Sequence, residues 1–214
     1  VLKWTLLFVA VACFAALAWT TKLTYKDAPP FPDQFVTQAG EIVMTSADVI
    51  AGKAGFQKAD LMDYGSLYGM GSYFGEDYTA DNLVRIAKLT EANIAVSEYG
   101  KPFDLLSGEK RAAVTRSMQT MLQSVDLTAS STVLPDALAK AIVKRRSEIV
   151  DWLLHHDYEK GWTQAYSLDQ KSAEQTANFL LYSSLTTVAR RPGSTASWTQ
   201  NWPYEPLVGN TPTT

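Results

Sequence analysis

The residues whose chemistry could support catalysis or metal binding are few and poorly grouped. The chain carries two histidines, adjacent at His155-His156, and one cysteine, Cys13. Adjacent helical residues point in different directions, whereas a metal pair needs ligands at i and i+3 or i+4 on one face, so the histidines do not read as a metal site. A serine nucleophile needs a histidine base, and the only candidates are this same pair at the end of a helical pattern. Asp60, Asp63, Glu76 and Asp77 could pair as general acid and base, yet carboxylates in a glycine-rich stretch are ordinary turn-makers. Gly69-Met70-Gly71 lacks the further glycine, the Lys-Ser/Thr pair and the preceding apolar strand of a nucleotide loop. A single cysteine excludes disulfides, thiolate metal sites and covalent c-type haem attachment within the chain. No catalytic constellation emerges, and the chain is expected to hold no catalytic residue of its own.

What does stand out is the stretch from Asp63 to Arg85, a glycine-tyrosine loop feeding a helix. Gly65, Gly69, Gly71 and Gly75 allow positive φ or close approach, while Tyr64, Tyr68, Tyr73 and Tyr78 offer flat surface tipped with a hydroxyl. Such a loop is suited to lie against something, either its own domain or a partner.

The elements that must position this loop are mostly helical. Trp4 to Trp19 is the one long apolar run, with Lys3 and Lys22 outside it and tryptophan at both ends, which reads as a transmembrane helix over residues 1–24. Ala16-Leu17-Ala18 keeps a cleaved signal peptide open as the alternative. Residues 25–33, with Pro29-Pro30-Phe31-Pro32, form a stiff extended connector. A domain over 34–197 follows. Its first helix starts at Thr45 or Ser46 and runs towards Gln57, weakened by Gly52 and Gly55. The second is capped by Thr79 and ends before Gly100, with Leu83, Ile86, Ala87, Thr90 and Ile94 on one face. A third spans Ser107 to Val125, and a fourth begins at Pro135 and carries Leu138, Ile142, Ile149 and Leu153 inward. Ser167-Leu168-Asp169-Gln170 reads as a capping box for a fifth, ending near Arg190. The fold class is therefore mainly α, with almost no sheet. Residues 198–214 form a proline-rich aromatic tail expected to be ordered against a surface.

The net charge is −3 and basic residues are scattered, the densest cluster being Lys144-Arg145-Arg146 beside Glu148 and Asp151, so nothing points to nucleic acid. The residues alone lead to a membrane-anchored, helical, extracytoplasmic interaction domain.

Three segments together resemble one family, the quinol-dependent nitric oxide reductases of the haem-copper oxidase superfamily. They are Tyr25-Lys26-Asp27-Ala28-Pro29-Pro30-Phe31-Pro32, the run from Asp63 to Tyr73 continuing to Thr79-Ala80-Asp81, and Thr199-Gln200-Asn201-Trp202-Pro203-Tyr204-Glu205-Pro206-Leu207-Val208-Gly209-Asn210. The resemblance implies the amino-terminal region of a larger single-chain enzyme of the bacterial inner membrane. It would comprise one transmembrane helix and a cytochrome c-like helical domain without haem, facing the periplasm or cell exterior. The partner would be the catalytic transmembrane bundle of the same polypeptide, which would hold haem b, non-haem iron and calcium; no cofactor is expected within this segment.

In the related two-subunit enzyme the corresponding domain carries Cys-x-x-Cys-His, and carrying that motif over places its residues on Leu61, Tyr64 and Gly65. The haem volume is then expected to be filled by Phe56, Met62, Tyr64 and Tyr68. The same likeness puts Gly71 and Tyr73 at contacts to an interface calcium and haem propionates, and assigns Gly69, Tyr78, Asn201, Trp202, Glu205 and Asn210 to the docking interface. Met70 and Val84 stand where histidines are expected, which points towards a divergent member or a nitric oxide dismutase-like relative. A stand-alone membrane-anchored binding subunit without catalysis is the alternative from a different class.

Overall fold

The structure is a computed structural model that describes residues 1–158, 162–200 and 207. Helix α1 (Leu2–Lys26) takes in the apolar run and continues through Tyr25 and Lys26, which sequence patterning assigns to the connector. It buries no residue and is long and apolar enough to cross a membrane, a test that a signal sequence also passes.

The domain is mainly helical, as its periodicity predicts, and its centre is α7 (Gln170–Thr186). Ala173, Thr176, Ala177, Leu180, Leu181 and Leu185 are all buried on it. Three helices surround α7: α2 (Ser46–Lys58), α4 (Tyr78–Tyr99) and α6 (Asp136–His155), with α5 (Gly108–Gln123) packed outside on α4. Ile86, Thr90 and Ile94 of α4 and Leu138, Ile142, Ile149 and Leu153 of α6 face inward as their spacing requires.

Gly52 and Gly55 have a different role from the one their helix propensity suggests. A Cβ on Gly52 would collide with the Gln175 carbonyl oxygen, and one on Gly55 with the Thr176 hydroxyl, so the glycines let the α2 and α7 backbones touch. Two caps shift as well. Asp77, not Thr79, caps α4 by accepting from the Ala80 amide, and Asp169, not Ser167, caps α7 by accepting from the Ser172 amide. Thr45 caps α2 as expected, and α7 stops at Thr186 instead of reaching Arg190.

There is more sheet than the near absence expected. Strands β1 (Gln34–Val36) and β2 (Ile42–Thr45) pair antiparallel, and β5 (Ser131–Val133) joins β1 in parallel. Each is too short for alternation to be read along the chain, and burial of Phe35, Val43, Met44 and Thr132 supplies the reason to pair. A short helix, α3 (Leu61–Tyr64), and a small hairpin of β3 (Ser66–Leu67) and β4 (Met70–Gly71) complete the domain between α2 and α4.

Candidate functional site

The glycine-tyrosine loop is a built structure, held from below by one carboxylate. At its tip Tyr68 and Gly69 both take positive φ, +56° and +73°, the backbone pair of a two-residue type I′ hairpin turn. Glycine adopts this freely, whereas a tyrosine must be held there. The hold comes from two sides: the Tyr68 amide donates to the Thr79 hydroxyl at 3.1 Å, and its phenol oxygen lies 3.0 Å from the Thr186 hydroxyl at the end of α7.

Beneath the turn, Asp77 Oδ2 accepts from the Ser66 hydroxyl and from the Gly69 amide, each at 2.7 Å. Its other oxygen accepts from the Ala80 amide at 2.8 Å and from the Thr79 hydroxyl. Partial burial works against the charge, but these four donors outweigh it and hold the Asp77 carboxyl below the usual carboxylate range. One side chain thus caps α4 and fastens the hairpin turn.

Gly71 is fixed by its own loop. Its φ is +135°, and a Cβ there would lie 2.5 Å from the Gly65 carbonyl oxygen and 3.1 Å from that of Met62. Glycine is required at this position before any partner is considered. Tyr73, by contrast, is 88% exposed, and Met70 and Phe74 on the same rim are also exposed. A cleft of about 500 Å³ opens between the loop and α4, lined by Tyr68, Tyr73, Asp77, Ala80, Leu83 and Thr187.

On its inner side the loop closes over an aromatic cluster. Tyr64, 4% exposed, sits among Trp162 (ring centroids 4.9 Å), Tyr158 (5.0 Å), Trp152 (6.1 Å), Phe74 (6.3 Å) and His156 (6.4 Å). Trp152 also meets Tyr78, which in turn meets Phe56 edge-on at 5.9 Å. Burial, and then the neighbouring Tyr64, pushes the Tyr158 phenol up to about 12. Leu61, Tyr64 and Gly65, the positions matched to the haem motif, offer no sulfur or imidazole, and the space beside Tyr64 is occupied by these rings. They do not fit a covalent haem. Phe56 and Tyr64 fill the interior as expected and Tyr68 is half-buried, but Met62 lies 41% exposed and is not part of the filling.

The fold separates several of the candidates read from the sequence. His156 packs on Trp152 and Tyr158, while exposed His155 holds Asp151 at 3.0 Å, so the two imidazoles share no ligand position. Tyr78, expected at the docking interface, is 3% exposed and donates its hydroxyl to the Leu61 carbonyl at 3.0 Å, so its ring belongs to the domain interior. Gly71 and Tyr73 could offer one carbonyl and one phenol, short of the roughly 6–8 oxygens that calcium takes. Among the described residues no group of three or more His, Cys, Asp or Glu side chains could hold a metal ion. This loop does not build a calcium site by itself. Asn201, Trp202, Glu205 and Asn210 lie outside the described residues.

Sequence reasoning missed two supports. Arg145, which the sequence places in a solvated basic cluster, reaches Asp81 at 2.6 Å, Asn82 at 2.7 Å and Glu148 at 3.3 Å, tying α6 to the first turn of α4. Arg146 donates to the Val43 carbonyl at 2.5 Å and joins β2 to the helices. Their low surface exposure is a tertiary result that charge alone could not announce.

A comparison with curated proteins finds no match to the chain. Residues 32–204 match the family model for NorB, the cytochrome c-like domain of nitric oxide reductase. That span covers the connector's end, the whole helical domain, the fastened loop and the aromatic cluster beneath it, and the chain belongs to the NorB cytochrome c-like domain family of nitric oxide reductase.

Proposed function

We propose that this chain is the membrane-anchored, extracytoplasmic region of a quinol-dependent nitric oxide reductase and that its glycine-tyrosine loop docks on the catalytic transmembrane bundle. The reaction, two nitric oxide molecules to nitrous oxide and water with two electrons from quinol, would take place on the haem b and non-haem iron of that bundle. This chain's share is structural: α1 would anchor it in the bacterial inner membrane, and the domain would cover the bundle's outer face. Calcium at the contact would need most of its oxygen ligands from the bundle side, with Gly71 and Tyr73 as neighbours.

The observation that carries this reading is the contrast within the loop. Its base is immobilised by Asp77, Thr79 and Thr186, yet its rim presents Met70, Tyr73 and Phe74 to solvent. A pre-shaped rim of aromatic and methionine side chains loses little conformational entropy on contact, which suits a permanent interface. The test is a charge placed on that rim in the intact reductase. Met70→Glu with Tyr73→Glu should lower nitric oxide turnover while the domain keeps its helical spectrum; unchanged turnover would sink the docking reading.

A further inference from the structure

The connector that leaves α1 and the loop proposed to dock are fixed to the same end of α7. Tyr182, buried on α7, donates its hydroxyl to the Pro30 carbonyl at 2.9 Å, with the Pro29 carbonyl at 3.3 Å. Phe31 stacks on its ring at 4.6 Å with an interplanar angle of 20°, and Phe35 meets it edge-on at 6.5 Å. One turn further on, Thr186 holds the phenol of Tyr68 at 3.0 Å. The two phenols are close enough to feel one another: burial raises the Tyr182 phenol, and Tyr68 raises it further. Residues i and i+4 of a helix lie about 6 Å apart along its axis on one face.

We infer that Tyr182 is a positioning residue forming a rigid joint between the membrane anchor and the glycine-tyrosine loop. Pro29, Pro30 and Pro32 stiffen the strap, Tyr182 grips it, and Tyr68 fastens the loop beside the grip. The joint therefore sets where the loop stands relative to the end of α1. It rests on the docking reading only for its purpose; its existence is a property of this chain alone. Each half of the contact is small, yet together they remove the swivel that a proline connector would otherwise leave at its first non-proline bonds.

The joint can be tested on the whole chain in lipid nanodiscs. With Cys13→Ser removing the native thiol, spin labels at Tyr25→Cys and Tyr73→Cys, both exposed positions, report the distance from the anchor's end to the loop by pulsed electron resonance. A second pair, Tyr73→Cys with Lys101→Cys, reports on the domain alone. A narrow distribution for the first pair, broadened several-fold by Tyr182→Ala and partly by Tyr182→Phe, with the second pair unchanged, is the expected result. Because the second pair monitors the fold, broadening of both would mean that Tyr182 only supports the core and would overturn the joint. A first pair already broad in the parent, or unmoved by Tyr182→Ala, would overturn it equally. Failure here leaves the turnover test of the docking rim standing, and failure of that test leaves this joint standing.

Discussion

Replacing Asp77 should unfasten the loop without dissolving the domain. Its carboxylate receives the amides of Gly69 and Ala80 and the hydroxyls of Ser66 and Thr79. Loss of an N-cap oxygen costs about 0.5–2 kcal/mol. Hydrogen bonds to a charged acceptor are worth about 1.5–3 kcal/mol each, but Asp77 is only half-buried and water can replace part of what is lost. Asp77→Ala should therefore cost about 2–4 kcal/mol, less than the sum of the parts, and Asp77→Asn, which keeps one oxygen and remains a good cap, about 1–2 kcal/mol. Amide exchange at Gly69 and Ala80, read beside the urea midpoint, separates loop from domain. The titration has a definite sign. The folded carboxyl lies below its ordinary value, so its contribution is complete above that value and is lost as pH falls through the lower folded value. Protection of the Gly69 amide should fall below about pH 4 in the parent and show no such step in Asp77→Asn. Equal Gly69 protection in parent and Asp77→Ala would refute the fastening.

Three further outcomes follow from the same contacts. Gly52→Ala should destabilise by about 1–3 kcal/mol despite alanine's better helix propensity, because the methyl meets the Gln175 backbone; a raised thermal midpoint would show that α2 and α7 do not touch there. Gly71→Val should disorder the domain's own loop, seen as lost Tyr64 and Phe74 near-ultraviolet signal, whereas Tyr73→Phe should leave it intact. Tyr64→Ala should cost about 3–5 kcal/mol by opening a cavity among Trp152, Tyr158 and Trp162, and a variant as stable as the parent would remove the cluster from what holds the domain together.

Long helices are legible because α4 and α6 repeat apolar residues at helical spacing, and the loop is legible from glycine and tyrosine density alone. What escapes is set by distant partners. Gln34 meets Ser131 across 97 residues, a pairing no local pattern records. Thr79 and Asp77 both suit an N-cap, and only the fold decides that Asp77 reaches the Ala80 amide while Thr79 turns to Tyr68. Gly52 and Gly55 read as weak points in a helix, although their spacing of three on one face is the available signal of close backbone approach. Trp152, Tyr158 and Trp162 are visible as aromatics after a helical run, but their meeting with Tyr64 depends on where α6 ends. Spacing in a loop carries no inside and outside, so buried Tyr78 reads in sequence like its exposed neighbour Tyr73.

Docking itself can be read by site-specific photocross-linking in the intact reductase in native membranes. A photoreactive residue at position 73 or 70 should capture the catalytic bundle in high yield, while one at Lys101 should not. Capture from Lys101 with none from positions 70 and 73 would place the opposite end of the domain at the bundle and contradict the role assigned to the glycine-tyrosine loop.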